Sequence, residues 1–251
     1  ASVDHFSQGR FVLGLGTSHK VQVEPEHGLV FEKAVPRLRE CVEIVRELLQ
    51  KCEVSYQGSV YDIKNFDFWF EPLRREIPIY VAAVFPKMLE VCGEIAQGAL
   101  MTWCTLEHAE TAAAHVAEGA KRAGRDPSEV DVATLMPCAV GNSGEGAIAG
   151  LKTNIARYAA KFPRYRKLME DAGFAEELQA VRRAWNDGNE AEAISLVPDE
   201  LVDSIALVGS AEKARSRLDE YRRAGITQPI ISPRVSDRKS TRLNSSHTSI
   251  S

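Results

Sequence analysis

The chain has 251 residues, 44% of them hydrophobic and 26% charged, with a formal net charge of -4, which suits a soluble globular protein with a sizeable core. Mild acidity and the lack of a Lys/Arg block exclude the electrostatic footprint of a nucleic-acid or anionic-membrane binder, and no apolar run is long enough to span a bilayer. Five cysteines without paired or metal-type spacing read as reduced core residues of a cytoplasmic protein, not as a disulfide framework or a metal site.

In chain order, Phe11 to Leu15 is an unbroken apolar run and predicts a strand buried on both faces. It stops in Gly14-Leu15-Gly16-Thr17-Ser18, a turn whose N–H groups and hydroxyls suit a phosphate, though from spacing alone an ordinary tight turn is the plainer reading. Ala34 to Leu49 carries apolar residues at helical spacing, with Pro36 acceptable only near its start. The carboxylates of Glu40, Glu43 and Glu47 read as the wet face of that helix. Glu53 to Ile63 alternates around Gln57-Gly58 and predicts a hairpin outside the main rhythm.

Strands then follow at 79–83, 99–103 and 130–140, alternating with helices at 87–96 and 106–123. A long helical excursion runs from Glu145 to Asp203, broken near Pro163, Gly173 and Gly188. A last helix at 215–223 stops at Gly225, and Ile230 with Ile231 marks a short final strand. Strand, helix, strand in this order predicts parallel βαβ units and an α/β fold. About five principal strands are too few for an eight-stranded barrel, and no G-x-G-x-x-G opens a helix. The edges and apolar face of an open sheet favour aggregation or pairing with a partner, and a homodimer is left open.

Three segments carry a family likeness. "GRFVLGLGTS", "PIYVAAVFPKMLEVCGEIAQGALMTWCT" and "LVDSIALVGSAEKARSRLDEYRRAGITQPII" resemble, in this order, luciferase-like oxidoreductases, particularly the branch that uses the deazaflavin coenzyme F420. The likeness runs from about Val3 to Pro233. It implies a (β/α)8 TIM barrel with roughly strands 4 to 8 present, so that the chain is expected to begin near the end of the third β/α unit. A single barrel domain is expected over 1–235. The polar stretch from Asp237 to Ser251 is unlike the family, so the last segment, 236–251, is set aside as a non-native tail and His247 receives no role.

The same resemblance implies site residues. Thr17 and Ser18 fall where the family contacts its coenzyme after the fourth strand. Val84, Phe85 and Lys87 match a second contact set, where backbone N–H groups and a helix start meet a phosphate. Phe85 departs from relatives that carry Gly there, and either crowds the approach or packs on the barrel. Thr102 and Thr105 match a substrate-phosphate position of a sugar-phosphate-oxidising branch, but Thr stands at 105 where that branch has Lys. His19 matches a proton acceptor that is acidic in that branch, against the plainer reading of a solvated loop histidine. Trp103 is either a ring wall or plain packing; Tyr158, Arg164, Tyr165 and Arg166 are either a substrate lid or cover for the core.

Three functions follow. The first is an F420-dependent oxidoreductase transferring a hydride to or from a small organic substrate. The second is an FMN-dependent luciferase-like monooxygenase, and the third a non-catalytic or inactive fragment. None requires a metal, a nucleic acid or a membrane.

Overall fold

Parallel strands alternate with helices through much of the chain, in a computed structural model that describes residues 1–140 and 144–233. The tail set aside at 236–251 lies outside these residues. Two compact units are formed: Ala1–Met101 with Thr111–Ala133, and Thr102–Glu110 with the residues from Thr134 onward.

The first unit opens with α1 (Ser2–Phe6) and β1 (Leu13–Leu15), followed by α2 (Lys20–His27), α3 (Ala34–Lys51), and the hairpin of β2 (Glu53–Gln57) and β3 (Asp62–Asp67). Next come β4 (Ile79–Ala82), α4 (Pro86–Ile95), β5 (Gly98–Thr102), α5 (Leu106–Arg122) and the start of β6 (Asp131–Val140). β1 pairs in parallel with β4, Leu15 opposite Val81, and β4 with β5, Ala82 opposite Leu100. Asp131 N–H donates to Gln97 O as β6 begins. Ile79, Val81, Ala99 and Met101 are buried, and the Cys92 thiol of α4 reaches Val81 O. Gly14, Tyr80, Ala82 and Leu100 alternate onto the opposite face, where Gly14 and Ala82 are exposed.

Two expectations need correction here. The run at Phe11–Leu15 is not buried on both faces: β1 is a three-residue strand, Gly14 is exposed, and Val12 is 43% exposed. Among the described residues β1 pairs only with β4, so the apolar run lies at an edge of the sheet.

Glu40 is not part of a wet face either. It is buried on α3, where its carboxylate accepts from Ser59 N–H and Oγ–H, both at 2.7 Å, and from Val60 and Tyr61 N–H at 3.0 and 2.9 Å. The charge on the helix is therefore spent on holding the turn between β2 and β3. Burial works to raise the Glu40 pKa, but the Ser59 hydroxyl and the three N–H donors outweigh it and bring the carboxyl from 4.5 to about 2. A depressed carboxyl stabilises the fold fully above its unfolded value and loses that contribution as pH falls from about 4.5 toward 2. Glu40→Gln is accordingly expected to lower the thermal midpoint at neutral pH by roughly 5 °C and to flatten the acid dependence in that window. Parallel acid titrations of the two proteins, followed by circular dichroism, test this, and an unchanged acid dependence in the variant would contradict it.

The N-terminal helix is tied down by another buried carboxylate. Asp4 accepts from Arg74 Nη2 at 2.6 Å and Nε at 3.1 Å, and the same Nη2 donates to Phe11 O. The Arg74 hydrogen bond holds the Asp4 carboxyl below its ordinary range against the opposing effect of burial. One guanidinium thus fixes α1, the entry to β1 and the approach to β4. On the outer helices, Glu94 of α4 pairs with Arg39 of α3 and Arg122 of α5, and Arg122 also reaches Glu90 at 3.0 Å.

In the second unit β6 pairs with β7 (Leu207–Gly209), Ala139 opposite Val208, and β8 (Gln228–Pro233) also pairs with β6. Between β6 and β7 the excursion resolves into α6 (Gly144–Lys161), α7 (Pro163–Met169), a π-turn over Glu170–Phe174, α8 (Ala175–Asn186), α9 (Glu190–Ser195) and α10 (Asp199–Ile205). The breaks fall where expected. Pro163 opens α7, Gly173 sits at φ +98°, and Gly188 at φ +80° ends the turn after α8. α11 (Ala211–Arg223) starts four residues earlier than predicted, because the Ser210 hydroxyl accepts from Lys213 N–H and caps it.

Candidate active site

Parallel pairing gives β1 and β4 a common carboxyl end, so the segments that leave them emerge side by side. Beyond the last paired residues, a Cβ at Gly16 would lie 3.1 Å from the Ala82 Cβ. Thr17 and Ser18 leave β1 at the level where Ala83 and Val84 leave β4. Ser18 holds φ +56°, a left-handed conformation uncommon for a side-chain-bearing residue, and turns the chain away from the strand. His19 returns to extended backbone as the N-cap of α2, and its carbonyl accepts from Gln22 and Val23 N–H. His19 therefore occupies a helix entrance and not an open loop.

Across from it, Phe85 is the N-cap of α4, with its carbonyl accepting from Met88 and Leu89 N–H at 3.0 Å. Pro86 occupies the first turn, where its missing N–H costs nothing, so Lys87 offers the first amide of the helix together with an exposed ammonium. Helix dipole, amide and ammonium all favour an anion at this end. The adjoining face of β1 and β4 is open at Gly14 and Ala82, where a Cβ at Gly14 would meet nothing within 4 Å and Ala82 is exposed, while Tyr80 on the same face turns its hydroxyl to Asp131. Thr17, Ser18, Val84, Phe85 and Lys87 therefore follow the carboxyl ends of two neighbouring parallel strands, with open space at Gly14.

Thr102 and Thr105 belong to the second unit. Thr105 Oγ1 accepts from His108 N–H at 3.2 Å, capping α5, which accounts for this threonine locally. Between them Trp103 stands at φ +57° and only 4% exposed, a conformation that a bulky residue holds only when its surroundings enforce it. Tyr158 of α6 lies 5.1 Å from the Trp103 ring, and Phe162 and Tyr165 join it at 4.8 and 5.1 Å from Tyr158. Burial pushes the Tyr165 hydroxyl up to about 12, with the nearby Tyr158 adding to the shift. From another side, the Tyr221 hydroxyl lies 2.6 Å from Cys104 O. Arg166 Nη1 donates to Ala159 O at the end of α6. Of the two readings open for Trp103 and the tyrosines, the rings adopt mutual packing.

This second unit also holds a cleft of about 650 Å³ lined by Ile148, Lys152, Asp199, Glu200, Val202 and Asp203 among others. None of the residues singled out from the sequence lines it, and Lys152 is paired with Asp199 at 2.7 Å. With its one lysine so engaged and further carboxylates around it, the cleft is a poor host for an anionic group. Among the described residues there is no cluster of three metal-ligating side chains and no helix long and apolar enough to cross a membrane.

The profile of the family described as luciferase-like monooxygenase matches residues 1–228. The 5,10-methylenetetrahydromethanopterin reductase of Archaeoglobus fulgidus is 30% identical over 244 residues, which cover 95% of this chain and 72% of the relative. The solved structure of coenzyme F420-dependent tetrahydromethanopterin reductase from Methanopyrus kandleri has a TM-score of 0.83 at 26% identity, covering 93% of this chain and 71% of that one. An F420-dependent secondary alcohol dehydrogenase, solved with an F420-acetone adduct, shares the fold at a TM-score of 0.71 and 17% identity over 93% of this chain and 67% of its own.

Proposed function

The chain belongs to the luciferase-like monooxygenase family, and on that premise we propose that it is a coenzyme F420-dependent oxidoreductase that moves a hydride between the coenzyme and a small organic substrate. The observation that carries this reading is the parallel register of β1 on β4, which sets Thr17 and Ser18 beside the N-terminus of α4 at one rim. The named reductase relatives support F420 over FMN.

A deazaflavin, when bound, supplies one ring carbon that accepts or donates a hydride. The residues present fit such a group. The Thr17 and Ser18 hydroxyls, the first amides of α4 and the Lys87 ammonium would hold its anionic tail, while Gly14, Gly16 and Ala82 leave room for a flat ring. Val84 and Phe85 would flank the tail. His19, at the entrance of α2, would exchange a proton with the substrate as the hydride moves. Thr102 and Thr105, in the second unit, are kept as a separate proposal for contacts to the substrate. Fixing ring and substrate in line is the main contribution of such a site to the rate.

Separate titrations with F420 and with FMN, followed by coenzyme absorbance and protein fluorescence, test the reading. Saturable binding of F420 and none of FMN is expected; preference for FMN would overturn it, and binding of neither would favour a non-catalytic member. His19→Ala is expected to keep F420 affinity and to lower turnover by about 10²–10⁴-fold, assayed first with methylenetetrahydromethanopterin, the substrate named in the A. fulgidus relative. Turnover unchanged in this variant would remove His19 from the chemistry.

A further inference from the structure

On the open face of the first unit one row crosses three strands: Gly14 of β1, Tyr80 of β4 and Gly98 of β5 stand opposite one another in the parallel register. A tyrosine between two glycines has two places to lie, because neither neighbour carries a side chain to hold it off. The ring has taken one of them. A Cβ at Gly98 would stand 2.8 Å from Cε1 and Cζ of Tyr80 and 2.9 Å from Cδ1, whereas one at Gly14 would meet nothing within 4 Å. The Tyr80 ring therefore lies over Gly98 and leaves the Gly14 side empty.

A carboxylate selects that side. The Tyr80 hydroxyl donates to Asp131 Oδ2 at the start of β6. Burial, together with this bond, pushes the hydroxyl well above its ordinary pKa, so that it stays a neutral donor. Asp131 stands on a fixed frame. Its N–H donates to Gln97 O at 2.9 Å, Gln97 N–H donates to Ile79 O at 2.9 Å, and Gln97 Oε1 accepts from Ile79 N–H at 3.1 Å. The ring is thus tied to the β5 side through the immediate neighbours of Tyr80 and Gly98.

We propose that Asp131 is a positioning residue for the coenzyme: by holding Tyr80 over Gly98 it keeps the space over Gly14 clear for the flat deazaflavin ring. This rests on the reading that F420 occupies the open face. A Tyr80 ring freed from Asp131 would divide its time between the two glycines, and molecules with the ring over Gly14 would be closed to the coenzyme. Apparent affinity then falls with the fraction of molecules that stay open. Gly98 has a matching role as the place where the ring is stored, since a methyl group there would drive the ring to the other side.

F420 titrations of the variants test this. Asp131→Ala and Gly98→Ala are each expected to weaken F420 by about 10- to 100-fold, and Asp131→Asn, which keeps an acceptor for the hydroxyl, by no more than about threefold. Adding Tyr80→Ala to either weakened variant is expected to restore the affinity of the Tyr80→Ala protein, because no ring is left to cover Gly14. A role of Asp131 in folding alone would leave the loss in place. In a crystal structure of the coenzyme-free Asp131→Ala protein the Tyr80 ring is expected over Gly14. Wild-type protein that binds no F420 would overturn the functional reading and this inference with it. Wild-type binding accompanied by undiminished affinity in both alanine variants, by a loss that Tyr80→Ala does not relieve, or by a ring still over Gly98 in the variant structure would overturn the positioning role alone.

Discussion

Gly93→Val is expected to leave the chain unfolded at physiological temperature. A Cβ at this position would stand 2.0 Å from Val116 O and 2.6 Å from Ala120 N, and one at Gly119 would stand 1.9 Å from Glu90 O. These are backbone atoms of facing helices, so no side chain can swing aside. α4 and α5 cross on two glycines, and any larger residue must push the helices apart along their buried length, which includes Leu89, Cys92, Val116 and Ala120. Forced separation of a packed helix pair belongs to the small class of substitutions that cost more than about 4 kcal/mol, against a total stability of about 5–15 kcal/mol for a typical domain. The same separation would break the bond from Arg125 Nη1 to Gly93 O at the end of α4. Gly119→Val is expected to do the same. Gly150, exposed on α6 with nothing within 4 Å, is the control: Gly150→Ala is expected to stabilise by about 0.5–1 kcal/mol. A cooperative thermal transition in the Gly93 variant at the wild-type midpoint would contradict the packing described for α4 and α5.

The second large effect concerns binding and not folding. Ala82→Leu is expected to weaken F420 by roughly 100-fold or more while leaving the thermal midpoint in place. Ala82 is exposed at the last position of β4, on the face opposite Val81 and α4, so a leucine there would project into the open floor beside Thr17 without meeting the core. Gly14→Val is the companion: nothing lies within 4 Å of its Cβ, and replacing a strand glycine removes an entropic penalty, so this variant is expected to gain stability and lose coenzyme affinity together. Calorimetric titration of both variants beside the wild type reads both quantities. Unchanged affinity in the two would show that the ring does not lie on this floor.

Local pattern carried much of the architecture into view. The apolar spacing of Leu38, Val42, Val45 and Leu49 marked α3, the turn at Gln57-Gly58 marked the hairpin, and the alternation of short apolar runs with helices marked the parallel sheet. β7 escaped because three residues between two helices look like part of either. α2 escaped because Pro25 stands inside it and no apolar face repeats along it.

Features set by distant contacts were the least legible. Glu40 looks like its neighbours Glu43 and Glu47, and only the fold brings Ser59, Val60 and Tyr61 onto it. Asp4 finds Arg74 seventy residues away. The left-handed backbone of Ser18 and Trp103 leaves no trace in residue type, since both are poor candidates for positive φ. A short glycine turn such as Gly14-Leu15-Gly16 is too common to name a ligand. The register of β1 on β4 brings the segment holding Thr17 and the start of α4 to the same end of the sheet.

The claim that these groups grip the coenzyme by its phosphate tail is tested most directly by comparing F420 with the deazaflavin nucleoside that lacks the phosphate. Wild-type protein is expected to bind F420 at least about tenfold more tightly, and Lys87→Ala to remove most of that advantage while leaving nucleoside affinity unchanged. Equal affinity of the wild type for the two compounds, or an equal loss for both in the variant, would contradict the account.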